Sequence, residues 1–441
     1  MLPGLTLPGS LVAPRPCFTA PSFRTFCGLA AGLAGQPRRR TVVGMLLGAG
    51  LSRAWPHDRA HYFFARARWE MDELGLAVAR LAVLLVPVGA PLTVAVDDSL
   101  FRRARRKVYG AGWQYDGSSP AQDKLSFGTC FVVAGIVVHL PFLARPVCLP
   151  VLGRLVPHGG KTGRAAKGGT KTTAGRKKDS APGSKTAAAV ADHPARRRVP
   201  GPPGTGGGRR ALPRPALKQL PATVTWTTRL PANAVPYALA PALPPGRHGP
   251  GRPPVKGRRL GTPAQLAAAA GWGRGTVHAY GASRTTALAA VTCLWHGCLG
   301  TRTVRVILAK DGRHGLLALV TTDLHATAAA LVTRYAARWS VEQAFSDARN
   351  VLGAGEARTR TRRAVERTVP FALLIHALVI IWYARHGHRP QIITARRASQ
   401  PWYTTKTGPE VPRGTSTDLL AAEHKLYAAR ACLTGCVSDV A

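Results

Sequence analysis

Acidic residues are scarce in this chain: 20 Asp and Glu stand against 61 Lys and Arg in 441 residues, a formal net charge of +41. Such an excess repels itself unless a polyanion meets it, so nucleic acid is the first partner expected and a membrane surface the second. Paired cysteine motifs are missing as well. The eight cysteines are scattered, with no CxxC pair and no Cys/His zinc spacing. A chain of this length does not need disulfides, and a reducing, cytoplasmic setting is expected. No apolar run reaches membrane-spanning length. The longest, VPFALLIHALVIIWYA at 369–384, carries His376 and reads as a buried core helix rather than a membrane segment. Near the start, Pro and Arg interrupt every apolar run, which argues against a signal peptide. Aromatic residues are absent between Phe142 and Trp226, and no internal repeat is visible.

What is present divides the chain. Residues 1–88 show helical periodicity in SFRTFCGLAAGLAG and AHYFFARARWEMDELGLAVARLAVLLV, broken at Trp55-Pro56. They predict a small helical N-terminal domain, either a DNA-binding head or a lid on the core. In residues 89–156, LTVAVDDSLFRR predicts a short buried strand ending in two acids, and KLSFGTCFVVAGIVVHLPF and RPVCLPVLGRL predict further β structure. Residues 157–215 are Lys/Gly/Thr-rich and then Pro/Gly/Arg-rich, a basic disordered linker with no regular strand or helix expected. Residues 216–326 are β-rich, from LPATVTWTTRL to the antiparallel pattern of TRTVRVILAKDGRHGLLALVTTDL. Residues 327–390 are helical, and 391–441 form a tail with a loop and one last helix. The whole predicts an α/β (α+β) fold with a mixed sheet.

Two places carry candidate chemistry. Asp97 and Asp98 lie at the predicted end of an apolar strand, where a buried carboxylate is expensive without a partner. A divalent metal is one such partner, and a cap or turn is another. The second place is RYAARWSVEQAFSDAR at 334–349. At about 100° per residue, Tyr335, Arg338, Glu342 and Arg349 share one narrow helical stripe beside an apolar face. That stripe is either a solvated salt-bridge ladder or a metal-holding acid flanked by phosphate-binding arginines.

These residues resemble the Tyr-x2-Arg-x3-Glu-x6-Lys signature of DDE-type transposases from bacterial insertion sequences, with Arg349 in place of the Lys. VAVDDSLF, ATVTWTTRLPANA, RAVERTVPF and PWYTTKT are similar to further stretches of that family, and the likeness covers roughly 20–155 and 216–430. The resemblance implies a ribonuclease H-like core with a β-rich insertion before the Glu helix. It implies Mg²⁺- or Mn²⁺-dependent hydrolysis at transposon ends, followed by attack of the freed 3′-hydroxyl on target DNA. Asp97 would be the first acid, with Asp98 as the fallback, and Glu342 the last. Asp97 and Glu342 would hold the metal, while Tyr335, Arg338 and Arg349 would position the DNA end. The implied partners are double-stranded DNA at terminal inverted repeats and at the target, and a second copy of the chain. The implied location is the nucleoid.

The family places a second Asp on a strand similar to Val-Ala-Asp-Ala-x-Tyr, about 15 residues before VTWTTR. Here GGGRRALPRP holds that place near Arg209, with no acid and no strand expected. Asp192, in AVADHP, lies too early and precedes Pro194. GC-rich codons for Val-Ala-Asp-Ala read out of frame give Gly, Gly and Arg. Translation of roughly 190–215 in a shifted frame would therefore explain the loss.

Overall fold

A computed structural model describes residues 13–36, 40–116, 119, 124–158, 204–208 (backbone only), 220–221, 223–241, 254–311 and 315–387. The expectations for Asp192, for PWYTTKT and for the last helix fall outside the described residues.

Four helices come first: α1 (Ala20–Gly35), α2 (Val42–Gly48), α3 (His57–Ala65) and α4 (Met71–Val83). Thr41 starts α2 by accepting the Gly44 N–H on its side chain, which satisfies one orphan donor of the first turn. The α1–α2 crossing is a backbone contact. A Cβ on Gly32 would stand 1.6 Å from the Met45 carbonyl oxygen, so only glycine lets the helices approach this closely. Phe26, Phe63 and Phe64 turn inward and meet Phe371 from late in the chain, and Trp69 stacks on Phe63. The helical segment thus shares one apolar core with the strands and helices that follow it.

The strands are β1 (Leu92–Arg102), β2 (Gly112–Tyr115), β3 (Leu125–Val138), β4 (Val147–Val156), β5 (Gly204–Gly208) and β6 (Thr225–Arg229). After the short helix α5 (Pro263–Ala268) come β7 (Gly273–Ala279), β8 (Ala282–Leu294), β9 (Thr303–Asp311) and β10 (Gly315–Thr321). All ten belong to one sheet in the order β2-β3-β1-β5-β6-β10-β9-β8-β7, with β4 also paired to β3. β4, β3 and β1 are antiparallel, whereas β1, β5 and β6 run parallel. This half is the mixed part of the sheet that the sequence predicts. β10 pairs with β6, so the β-rich insertion continues the same sheet instead of standing apart from it.

Two expectations for the strands are corrected here. β1 is eleven residues long, and Asp97 and Asp98 sit in its middle rather than at its end, because the polar residues after them keep the antiparallel ladder with β3. The stretch read as linker contains β5. Its glycines supply no side chain to bury, which is why composition argues against a strand. A ladder needs only backbone N–H and C=O groups, and both neighbouring strands offer complements.

The helices that close the fold are α6 (Ala328–Ala337), α7 (Trp339–Asn350) and α8 (Arg362–Trp382). The predicted single helix over 334–349 is therefore two, meeting at Arg338. There the Arg338 N–H turns to the Tyr335 carbonyl, three residues back, and breaks the regular ladder. α8 contains the apolar run and is almost wholly buried, as expected of a core helix. Its interior Pro370 lies against Gly153 of β4, where any side chain on the strand would press on the ring.

Candidate active site

The pleat of β1 decides which acid faces which layer, since alternate residues point to opposite sides of a sheet. Ala95, Asp97, Ser99 and Phe101 face α7, and Ala95 and Phe101 are part of the main core. Asp98 faces the other side, where its carboxylate lies 3.5 Å from the Cys130 thiol. Asp97 is 5% exposed. One of its carboxylate oxygens accepts the Asp98 backbone N–H at 3.0 Å. The other accepts from Arg338 at 2.7 Å.

Arg338 brings the two candidate ends of the site together. Its second terminal nitrogen donates to Glu342 Oε1 at 3.1 Å, so one guanidinium spans a strand carboxylate and a helix carboxylate. The Arg338 side chain is 9% exposed, and its Nε is buried without a hydrogen-bond partner. The Tyr335 ring lies 5.7 Å from the guanidinium. Arg349, in the last turn of α7, donates to Ser99 Oγ and, at 3.0 Å, to the Leu100 carbonyl. It also stacks over Phe101 at 4.9 Å. Burial pushes its pKa down, with Asp116 opposing and Arg102 adding to that shift. Arg349 thus fastens α7 to β1. Cys148 of β4 is fully buried beside this site, and its thiol is pushed up by burial and by the Asp97 charge.

The structure therefore gathers Asp97, Arg338, Glu342, Arg349 and the edge of Tyr335 at one place, and leaves Asp98 outside it. Ser99 was missed in the sequence, although its place two residues after Asp97 on a strand puts it on the same face. A cleft of about 620 Å³ opens beside Phe101 and Arg349, lined also by Arg105, Arg358 and Arg360. Its sequence signal was the basic run ARTRTRR at 357–363.

The donor chemistry suits a hard divalent cation. Two carboxylates from facing elements, with water completing the shell, are what Mg²⁺ accepts, and here both lie within one guanidinium of each other. Among the described residues no group of three or more His, Cys, Asp or Glu is positioned to hold a metal. The place of the family's second Asp, near Arg209, falls just after β5 in the chain. Gly208 pairs with Val96, the residue before Asp97, and the next residue in the chain is Arg209. Arg209 lies outside the described residues.

Residues 15–297 match the family of DDE superfamily endonucleases. The matched region contains Asp97 and stops short of α6 and α7. A solved piggyBac transposase synaptic complex with hairpin DNA aligns at a TM-score of 0.37 and 12% identity, covering 95% of this chain and 72% of that one. That likeness is too slight to build on. No curated protein matches the chain.

Proposed function

The chain belongs to the DDE superfamily endonucleases, and we propose that it is an insertion-sequence DNA transposase by descent whose strand-cleaving activity is lost in this copy. The observation that carries the reading is the Arg338 bridge, which joins Asp97 and Glu342, the residues read as the first and last acids. A divalent cation held by Asp97 and Glu342 would neutralise charge at a scissile phosphate. In this reading Tyr335 and Arg338 would position a DNA end, Arg338 once its guanidinium is free of the two acids it bridges. Arg349 contributes by holding α7, and with it Glu342, against β1.

The loss of activity follows from the missing second acid. β5 brings glycine backbone to the strand position next to Asp97, and GTGGGRR contains no carboxylate. With two acids in place of three, DNA binding is retained and cleavage is not. This favours the related reading of a DNA-binding remnant that still recognises transposon ends, acting as a homodimer as transposases generally do.

The test is a cleavage and binding assay on DNA carrying the matching terminal repeats, with Mg²⁺ or Mn²⁺. Binding without nicking is expected. Affinity should fall by about 10³-fold or more between about 50 and 200 mM salt, because the basic chain displaces counterions. Nicking that disappears in Glu342→Ala would show an active enzyme instead, and salt-insensitive binding would remove the nucleic-acid reading altogether. Sequencing intact copies of the gene tests the shifted frame: without a compensating pair of insertions or deletions around 190–215, that explanation fails.

A further inference from the structure

Arg338 is drawn in the family resemblance as a residue that holds DNA, yet in this structure its donors go to the two acids. Its contacts are 2.7 Å to Asp97 Oδ2 and 3.1 Å to Glu342 Oε1. Asp97's other oxygen accepts the Asp98 N–H, and Oδ2 is the one joined through Arg338 to Glu342. A divalent cation at this site and the Arg338 guanidinium therefore want the same oxygens. Both cannot have them. Two like charges at contact distance in a site this buried repel strongly, whereas either alone is well placed against two carboxylates.

Two further observations indicate that the bridge is a holding position. Arg338 Nε is buried with no hydrogen-bond partner, so the guanidinium fork is incompletely satisfied where it stands. Its backbone is the junction of α6 and α7, where the helical ladder is already interrupted. A side chain rooted at such a break can be re-aimed without unwinding a regular helix.

We propose that Arg338 is a stand-in cation: it occupies the place between Asp97 and Glu342 that a divalent ion takes, and must give it up when metal binds. The inference rests on the reading of Asp97 and Glu342 as metal ligands. In the metal-free protein the bridge keeps a buried and a half-buried carboxylate from repelling each other and locks α7 onto β1. When metal enters, the guanidinium is released, and its two parallel donors suit a phosphate. Metal entry and phosphate capture are thus coupled through one side chain.

The experiment measures Mn²⁺ affinity of the full chain without DNA, from the electron paramagnetic resonance signal of free Mn²⁺. The wild type is compared with Arg338→Gln and Arg338→Lys. Arg338→Gln is expected to bind Mn²⁺ at least about tenfold tighter, the size of effect one removed neighbouring charge has on a carboxylate's other cation, the proton. Arg338→Lys keeps the charge but cannot span both acids, and should fall between. Without metal, Arg338→Gln should melt below the wild type, and Mn²⁺ should raise its melting temperature more than it raises that of the wild type. Unchanged or weaker Mn²⁺ binding in both variants, with wild-type circular dichroism, overturns the proposal. If Arg338→Gln does not fold, Arg338→Lys decides alone. If Mn²⁺ binds none of the proteins, the reading of Asp97 and Glu342 as ligands falls too. Equal binding by all three removes only the stand-in role.

Discussion

Arginine does several different jobs in this molecule, and the number of arginines says nothing about which. Arg367 of α8 is 4% exposed. Its guanidinium donates to the carbonyls of Phe63, Phe64, Ala67 and Trp69, and lies 4.2 Å from the Trp69 ring centroid. Burial pulls its pKa down to about 10. It caps the end of α3, whose last carbonyls have no helical partner. Arg367→Leu should therefore lower the unfolding free energy by roughly 3–5 kcal/mol, since it strands several buried carbonyls at once. A shift of the urea midpoint would show it, and an unchanged midpoint would mean water replaces the side chain freely. The signature residues were legible because their spacing places them on one side of a helical stretch. Their partners were not. Nothing in the spacing says that Arg338 turns to Asp97 from 241 positions away along the chain, or that Arg349 serves β1. The choice between Asp97 and Asp98 also needed the pleat of a strand whose facing layer the sequence does not reveal.

Elements were easier to recognise than to bound. Apolar periodicity located α1, α3, α4, β3 and α8, because these bury a full face and their sequence repeats accordingly. The break at Arg338 was invisible, since every residue from 334 to 349 is compatible with helix and the interruption comes from tertiary pull. β1 was read too short because its second half is polar, and β5 was missed because glycine carries no pattern. The start of α6 shows a signal that does survive in the sequence. Thr327 caps it, and Asp323 accepts the backbone N–H groups of His325 and Ala326 while pairing with Arg334 at 2.8 Å. Burial pushes the Asp323 pKa upward, but Arg334 and the two backbone donors outweigh it, so the net shift is downward. A carboxylate whose folded pKa is depressed stabilises above its unfolded pKa and loses that contribution as pH falls through the folded value. Asp323→Asn should thus weaken α6 near neutral pH and make little difference once the pH has fallen through the depressed folded value. Amide hydrogen exchange along 328–337 at the two pH values checks this.

At the scale of the whole molecule, the basic charge was readable at once, and it predicted a class of partner. The partition of the interior was not. One apolar cluster joins α1 to α4 with β1, β3, β4, α7 and α8. Two others lie on either side of the insertion strands, around Trp226 and Val320 on one face and Ile307 and Leu331 on the other. Among the described residues, these halves meet in the sheet only through β5, five residues of which four are glycine, held by backbone bonds to β1 and β6. Glycine in a strand gives up the most chain freedom for the least contact. β5 is therefore the point where cooperativity should fail first. Scanning calorimetry should resolve two transitions instead of one, with early protease cuts near 204–208; a single two-state transition would contradict it. If β5 does let go, β1 and β6 become unpaired edges in an otherwise folded protein, each able to take a strand from a neighbouring chain. The same glycines that hide the strand from the sequence would then make it a zipper that two copies can exchange.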